Sequence, residues 1–280
     1  MSLLRIASAK VLLVMTCFAL APPALAASPK LDVPFVPSRE DVVEEMLQMG
    51  AVKADDLLYD LGSGDGRIVI TAARDIGARG VGVDLDPERI AEARANAEKA
   101  GVSDKVRFIQ GNVFDVDFSD ATVVTMYLFP EVNLKLRPRI LSELRPGTRV
   151  VSHAFDMAAW KPDAVSQEAS GTVYRWIVPA QVAGSWQWQV GEREFQVELE
   201  QDFQEISGSA SVDGQPAAIT QASLEGDQLE LTVAPGGGEP IRFSGRYQDG
   251  QLVGQVDGGG QVAVAQQQWV AQRADETRRG

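Results

Sequence analysis

The chain has 280 residues, 45% hydrophobic and 23% charged, a globular composition with core material for one large domain or two modest ones. Its net charge is −13 and it has no Lys/Arg-rich block, which argues against a nucleic-acid partner, because neutralising phosphates needs a basic face. A single cysteine, Cys17, and a single histidine, His153, exclude a disulfide framework and a Cys- or His-rich metal cluster, so no metal site is expected.

Residues 1–26 read as a signal peptide. Arg5 and Lys10 form a positive start, "VLLVMTCFAL" (11–20) is an unbroken apolar run, and Ala24-Leu25-Ala26 has the small-x-small form of a cleavage site. The apolar run is short for a membrane span, and Pro22-Pro23 follow it. Cleavage after Ala26 removes Cys17 and takes the net charge to −15. The expected location is outside the cytosol, in the periplasm.

From about residue 40 to 180, strand-like runs alternate with helical patterns. "REDVVEEMLQMG" (39–50) carries an apolar face at Val42, Val43, Met46 and Leu47 and stops on Gly50. Strands are expected at 57–61, 80–84, 106–110, 121–128 and 148–155, and a helix at 86–101 between Pro87 and Gly101. Such alternation gives βαβ units and a mainly parallel, Rossmann-like α/β sheet. After about residue 180, short strands alternate apolar and polar residues between Asp213-Gly214, Gly226-Asp227, Gly236-Gly237-Gly238, Asp249-Gly250 and Gly258-Gly259-Gly260. These are hairpin signals, so a small antiparallel β barrel or sandwich is expected. Residues 172–179 and 185–190 either pair to complete the first sheet, or the second segment opens the β-rich region. The division is 1–26 signal, 27–182 α/β domain, 183–272 β-rich domain, and a frayed tail at 273–280.

The chemistry is expected in "LLYDLGSGDGRIVI" (57–70). Its glycines, Gly62, Gly64 and Gly66, miss the dinucleotide spacing by one, because Arg67 stands where that fingerprint has its third glycine. Two acids, Asp60 and Asp65, repel a pyrophosphate and favour a cation. A ligand with a sulfonium, an ammonium and no phosphate fits, and D-x-G-x-G-x-G after a first strand is the loop form used for S-adenosyl-L-methionine. Asp84 ends the second strand and is placed to accept from both ribose hydroxyls. Asn112 follows the third strand and can accept from the adenine amine through its carbonyl.

With these residues in view, the chain resembles a family: seven-β-strand methyltransferases that methylate lysine in mitochondrial membrane proteins, the ATP-synthase c-subunit lysine methyltransferase among them, and their bacterial relatives. The resemblance rests on "PFVPSREDVVEEML" (34–47), "DLGSGDGRIVI", "GVGVDLDPE", "ATVVTMYLFPEVNLKLRPRILSEL" (121–144) and "RVVSHAFDMAAWKPD" (149–163). It covers about half the chain. It implies a seven-stranded methyltransferase sheet, with Asp60, Gly62, Gly64 and Gly66 in the cofactor loop and Asp84 on the ribose. It implies that Phe35 to Pro37 close over the cofactor and that Tyr127 to Pro130 line the target channel. The acceptor it implies is a lysine of a protein, in keeping with a membrane-associated target.

Tyr127, Phe129, Phe155 and Trp160 are candidates for an aromatic channel that holds an alkyl amine. His153 is the one imidazole, a candidate base, but it lies inside a strand-like run and reads better as structure. The chain departs from the family in its export signal, its β-rich C-terminal region and Asn112. A different class of function stays open, an exported non-catalytic protein that binds a partner or ligand through that C-terminal region. Fractionation with N-terminal sequencing is expected to find an exported chain beginning at Ala27; a cytosolic chain retaining Met1 contradicts the signal.

Overall fold

The computed structural model describes residues 35–257 and 267–274. The signal-like segment, the Gly258-Gly259-Gly260 turn and the end of the tail lie outside the described residues. None of the described helices is long and apolar enough to cross a membrane.

The first part follows the alternation in the sequence. Helix α1 (Glu40–Met49) precedes β1 (Leu57–Leu61), and α2 (Arg67–Thr71) runs on through a wider π turn (Ala72–Ile76). Then come β2 (Arg79–Asp84), α3 (Pro87–Ala100), β3 (Val106–Gln110), β4 (Val123–Met126), α4 (Pro130–Glu143) and β5 (Arg149–His153). Two antiparallel strands, β6 (Ala164–Ser166) and β7 (Val173–Ile177), finish a seven-stranded sheet of order β3-β2-β1-β4-β5-β7-β6. The strands β1 to β5 are parallel to one another. The side chains of β1, β2, β4 and β5 are mostly buried on both faces, which is why these strands read as apolar runs, whereas the edge strand β3 exposes Arg107 and Gln110. One face is covered by α1, α2 and α3 through Val43, Met46, Val69 and Ile90, the other by α4 through Leu136 and Ile140.

The order of connection reverses between β1 and β4. Crossovers of one hand leave a crevice there, outside the carboxyl ends of the strands. The glycine loop after β1 opens onto that crevice.

The second part is a closed eight-stranded antiparallel barrel. Its strands are β8 (Gly184–Val190), β9 (Arg193–Asp202), β10 (Glu205–Val212), β11 (Gln215–Glu225), β12 (Gln228–Pro235), β13 (Ile241–Gln248), β14 (Gln251–Asp257) and β15 (Gln268–Arg273). Residues 185–190 therefore open the barrel, where β8 pairs with β9 and β15, and do not extend the first sheet. The strand β15 runs through Arg273, one residue into the expected tail, and Arg273 donates to the carbonyls of Ala183 and Gln181. Tight turns fall on Asp213-Gly214 and Asp249-Gly250, all four residues at positive φ.

The barrel is solid where a carrier would be hollow. Trp188, Phe195, Phe243 and Trp269 are buried in its interior with ring centroids 5.0–5.7 Å apart. Truncating one of these rings leaves a cavity that the closed barrel cannot collapse around. Phe243→Ala is expected to cost about 3–5 kcal/mol of barrel stability, read from denaturant unfolding followed by tryptophan emission; a loss below about 1 kcal/mol refutes the packed interior.

Candidate functional site

Backbone hydrogen bonds build the floor of the crevice. The amides of Gly62 and Ser63 donate to the Val83 carbonyl at 2.8 and 2.9 Å, stitching the loop to the end of β2. The Gly64 amide donates to Asp84 Oδ2 at 2.8 Å, and the Asp86 amide to Asp84 Oδ1 at 2.9 Å. Asp84 thus holds the loop, while Asp86 does the separate work of capping α3 by accepting from the Glu88 amide. Gly62 and Gly64 have φ of +81° and +51°, which side chains rarely adopt. A Cβ on Gly64 would stand 2.3 Å from the Phe35 ring, and one on Gly62 would stand 2.7 Å from Leu128.

Residues 35–38 cross over this loop as a strap. Arg67 anchors it. Its guanidinium grips Asp65 through two hydrogen bonds, at 2.9 and 2.5 Å, and its Nη1 donates to the Ser38 carbonyl at 2.6 Å. The Arg89 guanidinium carbon lies 4.8 Å from the Phe35 ring centroid. Ser38 Oγ and His153 Nδ1 are hydrogen-bonded at 3.0 Å, which ties the strap to the end of β5. The outer faces of Phe35 and Val36 are exposed.

Under the strap is an open cleft. Phe35, Pro37, Asp60, Gly62, Gly64, Asp84, Asn112, Tyr127 and Phe129 all line it, as does Phe155. The sequence reading and the structure part at three places, Gly66, Trp160 and Asp65. Gly66 does not line the cleft: it precedes α2 at φ +80°, where a Cβ would collide with Phe108 at 2.6 Å, so it serves helix packing. Trp160 is not in the channel. It is fully buried in the core, 5.8 Å from Trp176 and 6.1 Å from Phe203, and its carbonyl accepts from the Trp176 indole. Asn112 is at the rim, where its side-chain carbonyl accepts from the Phe114 amide at 3.0 Å in a local turn and keeps a second lone pair. Asp65 is neutralised by Arg67 and acts as a clamp on the strap, leaving Asp60 as the acid of the loop without a cation beside it.

Asp60 is the electrostatic centre of the site. Its side chain is buried, and the side-chain hydrogen bond it receives is from Thr125 Oγ1 at 2.8 Å. Burial pushes its carboxyl up to about 7; the Thr125 hydroxyl opposes this, and the charges of Asp84 and Asp65 add to it. Thr125 was legible only as a polar residue in the apolar strand "VVTM". On the acceptor side, the Tyr127 and Phe155 rings stack at 6.3 Å, and Phe129 meets Phe155 edge-on at 6.1 Å. His153 is buried behind Tyr127, ring centroids 3.9 Å apart, and burial lowers its pKa against the opposing pull of Asp41. It is not among the lining residues and supports the wall.

The model of the ANTKMT methyltransferase domain matches residues 60–164, which contain the loop, Asp84 and the aromatic wall. A protein-lysine N-methyltransferase of Saccharolobus islandicus (strain REY15A) is 50% identical over 151 residues, 52% of this chain and 94% of that protein. The chain belongs to this methyltransferase family. The methyltransferase is also 33% identical over 168 residues to the ATP-synthase c-subunit lysine N-methyltransferase of Mus musculus, 60% of this chain and 67% of that one. Among solved structures it is similar to an RNA methyltransferase from Salinibacter ruber in complex with S-adenosyl-L-homocysteine. That similarity is 55% identity over 52% of this chain and 96% of the other, with a TM-score of 0.52. The family match stops at residue 164, before the barrel begins.

The buried acid makes stability depend on pH. An unfolded aspartate ionises near 3.9, so between about pH 4 and 7 Asp60 holds its proton more in the folded methyltransferase than in the unfolded chain, and its own contribution to stability falls as pH rises. The loss is complete above about pH 7. Asp60→Asn is expected to flatten this slope and to recover about 3–5 kcal/mol at pH 8 relative to pH 4. Urea titrations across pH read it; parallel slopes for the two proteins contradict an Asp60 carboxyl held near 7.

Proposed function

We propose that this enzyme transfers a methyl group from S-adenosyl-L-methionine to the side-chain amine of a lysine in a protein. The observation that carries the acceptor is the wall of the cleft. Among the described residues its lining holds two basic side chains, and both are committed: Arg67 to Asp65 and Ser38, Arg89 to Glu92 and the Phe35 ring. Neither is free for a phosphate backbone, whereas the aromatic slot of Tyr127, Phe129 and Phe155 suits an alkyl amine. The names of the relatives divide between lysine and RNA, and this lining of the cleft favours lysine.

The residues present fit the cofactor. Asp60 is a buried acid with a hydroxyl partner and no cation beside it, and the Gly62–Gly64 cradle is space that a Cβ would fill. Asp84, whose two oxygens each accept one backbone amide, keeps lone pairs for vicinal hydroxyls. S-adenosyl-L-methionine supplies, when bound, a methyl on a cationic sulfur. The protein's part is positioning and desolvation. Phe35 and the strap cover the cradle and keep water out. Tyr127, Phe129 and Phe155 surround the acceptor and disfavour its ammonium form, lowering a pKa that is about 10.4 in water. A positive charge brought beside Asp60 would favour its carboxylate form, against the burial that raises its pKa.

The site is assigned to an exported enzyme, supported by Arg5, Lys10, the apolar run and Ala24-Leu25-Ala26. A lysine-bearing envelope protein is then the target class.

Calorimetry is expected to find binding of S-adenosyl-L-homocysteine to the wild type and none to folded Gly64→Val, whose β-branched side chain meets both the φ and the Phe35 ring. Asp84→Ala is expected to weaken binding by about 1.5–3 kcal/mol. Incubation with labelled S-adenosyl-L-methionine and an envelope extract is expected to yield methyl-lysine by mass spectrometry. Label confined to RNA would reverse the acceptor assignment, and no binding by a folded sample would favour a non-catalytic binding protein.

A further inference from the structure

The barrel touches the catalytic part at the Gly226 turn, which lies against Gly147 and Ile177, and through one unusual turn between β9 and β10. The strands β9 and β10 are joined by Phe203-Gln204 alone, with Asp202 paired to Glu205. Phe203 has φ +55°, in a two-residue hairpin turn whose first position normally takes glycine. A large aromatic there is held against backbone preference. What holds it is not the barrel: Phe203 packs with the core of the methyltransferase sheet. Its ring stacks on Trp160 at 6.1 Å with 16° between planes, and the Arg137 guanidinium carbon is 5.4 Å from its centroid.

The neighbouring contacts converge on the same segment. Gln204 Nε2 donates to the Lys161 carbonyl at 2.7 Å and to Asp163 Oδ1 at 3.3 Å, and Arg137 Nη1 donates to the Met157 carbonyl at 2.7 Å. The segment between β5 and β6 is irregular, apart from one bridge between Met157 and Trp160. Ala154 and Ala158 in it have φ of +66° and +53°. A non-glycine segment with two such residues keeps its shape only when its surroundings fix it. Ser152 and Asn133 fix the Phe155 carbonyl from the α4 and β5 side. The barrel turn fixes the other half, and between them Phe155 is presented to the cleft.

We propose that the barrel is a positioning element for methyl transfer: Phe203 and Gln204 clamp residues 155–163 and so set the Phe155 wall against which the acceptor amine sits. The function of Phe155 in this argument rests on the acceptor reading above. Phe203 and Gln204 are positioning residues, since neither lines the cleft. The consequence is a split in the reaction. The cradle for the cofactor, Gly62–Gly64 with Asp84, is not among the contacts of the turn, so only the acceptor side should respond to its loss.

The test uses the full chain with Phe203→Ala, Gln204→Ala and the ring-preserving Phe203→Tyr. Gln204→Ala removes no core side chain, so it guards against a Phe203→Ala that does not fold. Deuterium uptake by amides of 154–163 is expected to rise about tenfold in both alanine variants, to stay near wild type in Phe203→Tyr, and to be unchanged in residues 60–70. The dissociation constant for S-adenosyl-L-homocysteine should stay within about threefold of wild type. With poly-L-lysine as acceptor, KM should rise about tenfold with kcat changed less. Unchanged uptake in 154–163 for both alanine variants overturns the clamp, as does faster uptake with an unaltered KM. If wild type binds S-adenosyl-L-homocysteine yet methylates no poly-L-lysine, the acceptor reading fails, and the exchange result alone decides whether the turn holds the segment.

Discussion

The hydrogen bond from the Gly64 amide to the Asp84 carboxylate is the contact around which the site is organised. It requires Gly64 at positive φ, and that conformation brings the backbone up under Phe35 with no room for a side chain. It also fixes the distance between the ends of β1 and β2, which are paired in parallel. The strap can then lie across the loop, held by Arg67, and the acid at the end of β1 is sealed below it. A buried carboxyl without a cation is unfavourable in the folded protein. The stability of the fold is spent there so that one position in the cleft favours positive charge.

The two halves of the cleft are made differently. The cofactor side is almost all backbone: glycines, amides and two acids at strand ends, where the parallel sheet dictates the geometry. The acceptor side is made of rings, Tyr127, Phe129 and Phe155, on segments that leave β4 and β5. Their placement depends on contacts far along the chain. His153 backs Tyr127 and reaches the strap through Ser38, so a residue of β5 joins the two halves.

This difference explains what the sequence revealed. The strands β1 and β2 were legible because buried parallel strands are short apolar runs between glycine and helix signals, and Asp60 and Asp84 stand at their ends. The barrel was legible from alternation and its Asp-Gly turns. Trp160 was misplaced for a definite reason: it shares a sequence run with Phe155, and the ring that draws it into the core, Phe203, lies far along the chain in the barrel. Arg67 was visible only as a missing glycine, although it is the anchor of the strap. Asn112 lines the cleft, and a local turn invisible in the motif uses one of the two lone pairs of its carbonyl. Local patterns carried the backbone half of the site, and long-range packing decided the aromatic half.

The closure of the barrel has one further consequence. Its first strand, β8, pairs with its last, β15, so the chain enters and leaves the barrel side by side. The connection from β7 is short, and Arg273 at the far end bonds back to Gln181 and Ala183 in that same connection. A unit with adjoining ends is a cassette: it can be added to or removed from a parent fold without rethreading any strand of either. The barrel is therefore topologically separable from the catalytic sheet, and Phe203 is one place where the two meet.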